Sequence, residues 1–366
     1  FIEASWLGNG TGIGRFSLGL AQALERSQPG RYSYYALGGK KEQMEASGLP
    51  LDRYLNAWWF PRRLYLFLFK RLLAPKVSTL LGASPHTYFF TDFVRYRVRK
   101  NERSLALIYD LAFATCPEFL NSGTARYLSR CVPQTVRRSD HLIAISEFTK
   151  NEIVRVFQTN PAKITVVYPG LDPVFYPRSE GETAAARAKY ELPENYLLFT
   201  GTLEPRKNLG GLLDVYLALP RALRELHPLV LAGGRGWKDT ALRERIESAR
   251  AEGVYTPGYI DEADLPALYT GAWAFAYPSF YEGFGLPPLE AMACGTPTLV
   301  SNRASLPEAV GGAALAIDPD DKLAFQEALT DLLQNASLRE DLRRKGFENT
   351  KRFDWDRSAA QLARLF

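Results

Sequence analysis

The sequence predicts an α/β protein of two doubly wound units. With 366 residues the chain is long for one compact core and suits two domains of ordinary size. Short apolar, β-rich runs alternate with longer amphipathic stretches, the pattern of parallel strands joined by crossover helices. The alternation lapses once, from about Arg178 to Pro193, and then resumes, which places a boundary there between units 1–177 and 178–354. Such units bind ligands at the carboxyl ends of their strands, and two facing units would bring both sets of loops to one cleft.

In the first half the strand-like runs are "FIEASWL", "YSYYAL", "TYFFT", "LALIYDL", "HLIAIS" and "ITVVYPG". In the second they are "YLLFTGTL", "PLVLAGG", "VYTPGYI", "WAFAYPS", "PTLVSN" and "ALAID". The final "FDWDRSAAQLARLF" reads as an acid-capped amphipathic helix with a face to pack.

Composition narrows the function. The chain is 46% hydrophobic and 23% charged, with no apolar run long enough to span a bilayer, so a globular body is expected. The excess of five positive charges is dispersed, which argues against a nucleic-acid partner and suits an anionic small molecule. Cys116, Cys131 and Cys294 are odd in number and lack CxxC spacing, as in a reduced, cytoplasmic protein. The chain opens on a strand-like run rather than a signal sequence, and trimming of the natural start stays open.

Three loops carry chemistry. In "GNGTGIGRFSLGLAQAL", Gly8, Gly10, Gly12 and Gly14 precede an amphipathic helix; they form either a phosphate-approaching loop or a plain βα turn. In "FTGTLEPRKNLGGLLDVY", Arg206 and Lys207 stand just ahead of a helix, suited to a diphosphate or simply solvated. In "FYEGFGLPPLEAMACGTP", Pro287 and Pro288 start a short helix that Gly295 ends, with Glu282 in the loop and Glu290 in the first turns. Amides of Gly283 and Gly285 beside two carboxylates suit a ligand bearing phosphate and hydroxyl groups, such as a nucleotide-sugar. The plainer reading makes Glu290 a helix cap and Glu282 a solvated loop acid.

That string resembles the E-x7-E motif of family 4 retaining glycosyltransferases of the GT-B fold. The likeness continues through "TGIGRF", "IYDL", "AISEFTKNEI", "VVYPGLDPVFYP", "GTLEPRKNL", "LAGGRGW" and "GYIDEADLPALYTGAWAFAYPS", in order along the chain. It implies two Rossmann-like domains facing across a cleft, transfer of a hexose from a UDP- or GDP-type sugar, and an acceptor that is a carbohydrate or lipid-linked sugar. By that resemblance Glu290 would hold the donor ribose and Glu282 would contact the hexose. Gly283, Phe284, Gly285 and Leu286 would line sugar and phosphates, Arg206 and Lys207 would neutralise the diphosphate, and Tyr259 and Ile260 would meet the base. Gly12 would approach the phosphates from the first domain, and the helix 355–366 would cross back to that domain. Retention would come from front-face attack, since no matched residue is a convincing nucleophile.

One position departs from the commoner His-Asp of the family: here it reads Tyr109–Asp110. The phenol is expected to position a sugar without titrating near neutrality, and Asp110 to orient the pocket or accept a hydrogen bond; the alternative is that both only end a strand. His86, His141 and His227 read as structural. Asp318-Pro-Asp320 and Asp354-Trp-Asp356 have metal-binding spacing but sit where helix caps belong, so no metal and no further cofactor is expected. The stretch Trp58 to Pro75 mixes aromatic, leucine and basic residues; it is either an ordinary helix on the first sheet or a contact with the inner face of a membrane. Two other functions fit the same residues: a nucleotide-sugar epimerase of this fold, and a non-catalytic binding subunit.

Overall fold

The computed structural model describes residues 1–5, 7, 12–37, 41–57, 59–60, 64–65, 68, 74–83, 85–234, 236 and 240–366. Its contacts divide the chain into two compact units. One comprises Phe1–Pro117, Ser122–Gly170 and Phe353–Phe366; the other comprises Glu118–Asn121 and Leu171–Arg352.

The first unit holds a seven-stranded sheet: β1 (Ile2–Glu3), β2 (Tyr34–Leu37), β3 (Tyr54–Ala57), β4 (Thr87–Phe90), β5 (Arg103–Ile108), β6 (His141–Ala144) and β7 (Ile164–Val166). Every pairing is parallel, in the order β3-β2-β1-β4-β5-β6-β7. Strand β3 is absent from the sequence expectation. "YLNA" is an edge strand with only Ala57 buried, so it lacks the continuous apolar run that marks a central parallel strand. Gly12 and Gly14 lie inside the helix Gly12–Ser27 rather than before it, while Gly8 and Gly10 fall outside the described residues. Most of Trp58–Pro75, on which the membrane reading rests, falls outside them as well.

The second unit holds a six-stranded parallel sheet: β8 (Leu197–Thr200), β9 (Leu229–Ala232), β10 (Val254–Gly258), β11 (Ala274–Tyr277), β12 (Thr298–Ser301) and β13 (Leu315–Ile317). Its order is β10-β9-β8-β11-β12-β13, so the winding reverses between β8 and β11. The stretch without strand character before β8 is the helix Glu180–Lys189. A capping box opens it, in which the Ser179 hydroxyl and the Glu182 carboxylate each serve the other's backbone N–H.

The last helix, Trp355–Ala363, belongs to the first unit. Asp354 caps it by accepting from the Arg357 N–H at 2.8 Å. Trp355 packs edge-on against Phe16 and lies so close to Gly19 and Gly170 that a Cβ on either would collide with the indole. The Ser358 hydroxyl and the Gln361 amide donate to the Tyr168 and Val166 carbonyls, both at 2.7 Å.

Candidate active site

Reversal of winding between β8 and β11 opens a crevice at their carboxyl ends, because the crossovers leave on opposite sides. The two loops there are Gly201–Asn208 after β8 and Pro278–Gly285 after β11. They are tied together: the Phe280 N–H donates to the Arg206 carbonyl at 2.9 Å.

Arg206 and Lys207 lie in a single 3-10 turn, Pro205–Lys207, after which Asn208 caps the helix Leu209–Leu217 through the Gly211 N–H. Lys207 is buried and donates to the Glu282 carboxylate at 2.6 Å and to the Tyr277 hydroxyl. Arg206 lies 3.6 Å from the other Glu282 oxygen and donates to Glu204 at 2.8 Å. Two cations and two carboxylates thus share one water-poor pocket. Burial alone would raise the Glu282 carboxyl, but Lys207 and then Arg206 outweigh it and hold it below the usual glutamate range. Burial likewise pushes Lys207 below an ordinary lysine, against the pull of Glu282.

Glu282 is therefore no solvated loop acid. Nor is Lys207 surface charge, although both cations, expected to face a diphosphate, have carboxylate partners within the fold.

Glu290 is buried in the helix Leu286–Ala293 and accepts from the Tyr269 hydroxyl at 2.9 Å; that hydroxyl also bonds Thr200 at 2.7 Å. Proline at the start and Gly295 just past the end bound this helix as expected. Gly285 precedes it with φ 108°, and a Cβ there would come 2.6 Å from Leu306 Cδ2, so the turn requires glycine. The loop is pinned from behind. Ser305, fully buried, donates to the carbonyls of Glu282 and Phe284, both at 2.9 Å, and Ser301 donates to the Ser279 carbonyl at 2.6 Å. Leu286 is the first residue of the helix, while Tyr259 stands exposed and Ile260 buried just after β10.

Comparisons with known proteins bear on this arrangement. A family model described as glycosyl transferases group 1 matches residues 182–349, and one described as glycosyltransferase family 4 matches residues 10–175. The O-antigen chain mannosyltransferase B of Escherichia coli is 37% identical over 293 residues, which cover 80% of this chain and 77% of that protein. The chain belongs to the family 4, group 1 glycosyltransferases. The E. coli serotype-specific mannosyltransferase WbdA is 30% identical over 61% of the chain, which spans 28% of that longer protein. Among solved structures, Anabaena HepE in complex with UDP and glucose aligns over 100% of this chain and 98% of its own, with a TM-score of 0.75 at 15% identity. WaaG, a glycosyltransferase involved in lipopolysaccharide biosynthesis, gives the same coverage and TM-score, also at 15% identity. The fold is GT-B, with two Rossmann-like domains.

In this glycosyltransferase the first-unit candidates behave differently from the second-unit ones. Gly12 is exposed at the start of its helix. Asp110 accepts from the Ala112 N–H at 3.0 Å and closes the turn after β5. At Tyr109 the contacts favour the second of the two readings, a residue that serves the end of its strand. Its hydroxyl donates to the Thr91 carbonyl at 2.8 Å and bonds Ser17 Oγ at 2.9 Å, while the ring packs on Phe16 and Phe93. A phenol has one hydrogen to give, and Thr91 takes it, so this side chain braces the first unit rather than offering its donor to a sugar. Burial raises its pKa far above neutrality.

The Asp-x-Asp pairs are engaged too. Asp318 and Asp320 both hold Arg303, at 2.8 and 2.6 Å, and the cap of the helix Lys322–Gln334 is Asp321 rather than either of them. Asp354 caps its helix as expected, and Asp356 pairs with Arg26. His141 bonds Thr165, and His227 bonds the Asn195 carbonyl and stacks on Trp273.

Sequence reading missed Tyr277, Tyr269, Glu204 and Ser305. For the two tyrosines a signal existed: a phenol inside an otherwise apolar buried run needs a partner for its hydroxyl.

Proposed function

We propose that this glycosyltransferase moves a mannosyl residue from a nucleotide-diphosphate sugar to a sugar hydroxyl during assembly of an O-antigen-like polysaccharide, with retention and without a metal. The observation that carries the reading is the buried Lys207–Glu282–Arg206 cluster at the crevice between β8 and β11. Mannose is supported by the printed activity of the 37% identical relative.

On this reading Glu290 holds the donor ribose, Gly283 to Leu286 line the sugar and phosphates, and Tyr259 and Ile260 lie against the base. Glu282 contacts the hexose and also keeps Lys207 in place. Glu282 and Tyr277 take two of the ammonium's three N–H groups, leaving one for a phosphate oxygen. As the anomeric bond breaks, charge grows on the leaving diphosphate, and Lys207 and Arg206 meet it where water is scarce. Glu282, bonded by two cations, is a poor nucleophile, so front-face attack with the leaving phosphate assisting proton removal accounts for retention. The acceptor is a carbohydrate or lipid-linked sugar, and the cytoplasm, up to the inner face of a membrane, is the expected place of action. No helix among the described residues is long and apolar enough to cross a membrane.

The deciding experiment titrates UDP-, GDP- and ADP-sugars, mannose included, with and without a mannan acceptor, and reads product configuration by NMR. A retained mannosyl linkage formed only with acceptor supports the proposal. A new sugar isomer without acceptor identifies an epimerase, and donor binding without turnover identifies a silent subunit.

A further inference from the structure

Tyr277 ends β11 immediately before the acid-bearing loop, and it is fully buried. Its ring stands in a column of aromatics, stacked with Phe199 at 5.7 Å and 16° and with Phe275 at 5.8 Å and 20°. These rings come from adjacent strands β8 and β11, so sheet hydrogen bonding fixes the column and the column fixes the phenol oxygen. That oxygen accepts from Lys207, whose ammonium also lies 4.7 Å from the ring centroid.

Lysine is a compact charge on a flexible four-carbon stem, and a carboxylate alone leaves it free to swing. We propose that Tyr277 is a positioning residue that holds the Lys207 ammonium in the one place where its remaining N–H can meet the leaving diphosphate. The inference rests on the catalytic reading of Lys207 given above and deepens it. The charged and titratable groups facing Lys207 are Glu282 from the loop after β11, Arg206 and Glu204 from its own loop, and Tyr277 itself.

Tyr277→Phe tests it, because the ring column survives and only the hydroxyl goes. The variant is expected to lose about tenfold or more in kcat, as misplaced catalytic groups do, with donor KM within about twofold of wild type. The phenol oxygen stabilises the charged ammonium, so its removal moves the alkaline limb of the rate profile to lower pH. In a Lys207→Gln background the same change is expected to cost less than about twofold, because there is no ammonium left to position. A 3-fluorotyrosine at 277 keeps size and hydroxyl while weakening the oxygen as an acceptor, and shifts the alkaline limb in the same direction by less.

Unchanged kcat and alkaline limb in both Tyr277 variants overturn the proposal. So does an equal fold-loss with and without Lys207, which marks a role in packing alone. If Lys207→Gln itself turns over normally, the catalytic reading of Lys207 fails first, a result separable from failure of the Tyr277 inference.

Discussion

Lys207 and Glu282 stand 75 positions apart in the chain and meet as a buried ion pair at 2.6 Å. Each makes the other tolerable in the interior, since a lone buried charge costs several kcal/mol. Stability and turnover should therefore be entangled at this pair and separable by design. Lys207→Ala is expected to lower unfolding free energy by about 3 kcal/mol as well as to abolish most transfer. The double variant Lys207→Met/Glu282→Leu should regain most of that stability and none of the activity. Denaturant midpoints beside donor turnover check both, and a stable but inactive Lys207→Ala would contradict the first.

Glu290 and Glu282 should differ in role. Glu290→Ala is expected to weaken binding of the free nucleoside diphosphate, and Glu282→Ala to spare it while reducing transfer. Tyr269→Phe, which removes the hydroxyl that bonds Glu290, should weaken nucleotide binding in the same direction by less, about 1 kcal/mol for one lost hydrogen bond. Calorimetric titration decides; equal affinity in wild type and Glu290→Ala would remove the ribose assignment.

Tyr109→Phe should act on folding. It leaves the Thr91 carbonyl and the Ser17 hydroxyl short of a buried partner, at a cost of about 1–2 kcal/mol. Nucleotide affinity should not move, and no ionisation near neutrality should trace to this position. A large drop in transfer without loss of stability would return the phenol to the sugar pocket.

Acid should weaken the second unit through Glu282. Its folded carboxyl sits below its ordinary value of 4.5, so the stability it contributes is present above that value and is lost as pH falls through the folded one. Urea midpoints followed from about pH 7 to about pH 3 should fall less steeply in Glu282→Gln than in wild type. Identical slopes would show that the pair is not the acid-sensitive element.

Transfer should survive exhaustive chelation, because Asp318 and Asp320 are occupied by Arg303, Asp354 by its helix N-terminus and Asp356 by Arg26. A strict requirement for Mg²⁺ or Mn²⁺ in the turnover assay would overturn this.

Much of the architecture was legible in local pattern. Twelve of the strands announce themselves as apolar, β-rich runs; the central ones are buried, since a central parallel strand is covered on both faces and cannot alternate, while the edge strands β10 and β13 are mostly half-buried or exposed. Pro287, Gly295 and Asp354 mark helix ends because the first and last turns need special backbone angles or side-chain partners that only a few residue types supply. Placing Glu282 and two cations on loops after such strands, and Glu290 in the helix that follows, was likewise a matter of counting along the chain.

Partnership was decided elsewhere. Whether Lys207 faces solvent, a phosphate or Glu282 depends on β8 and β11 lying side by side, a neighbour relation between segments far apart in sequence. Tyr109 looks like a pocket residue until the Thr91 carbonyl arrives from another element to take its one hydrogen and the Ser17 hydroxyl arrives to bond its oxygen. Strand β3 exists because β2 offers it an edge, not because "YLNA" has strong strand character. The physical reason is common to all three. Backbone conformation responds to residues a few positions away, so sequence determines it locally, whereas a buried hydroxyl or charge takes its energy from whichever group the packed fold sets within about 3 Å of it.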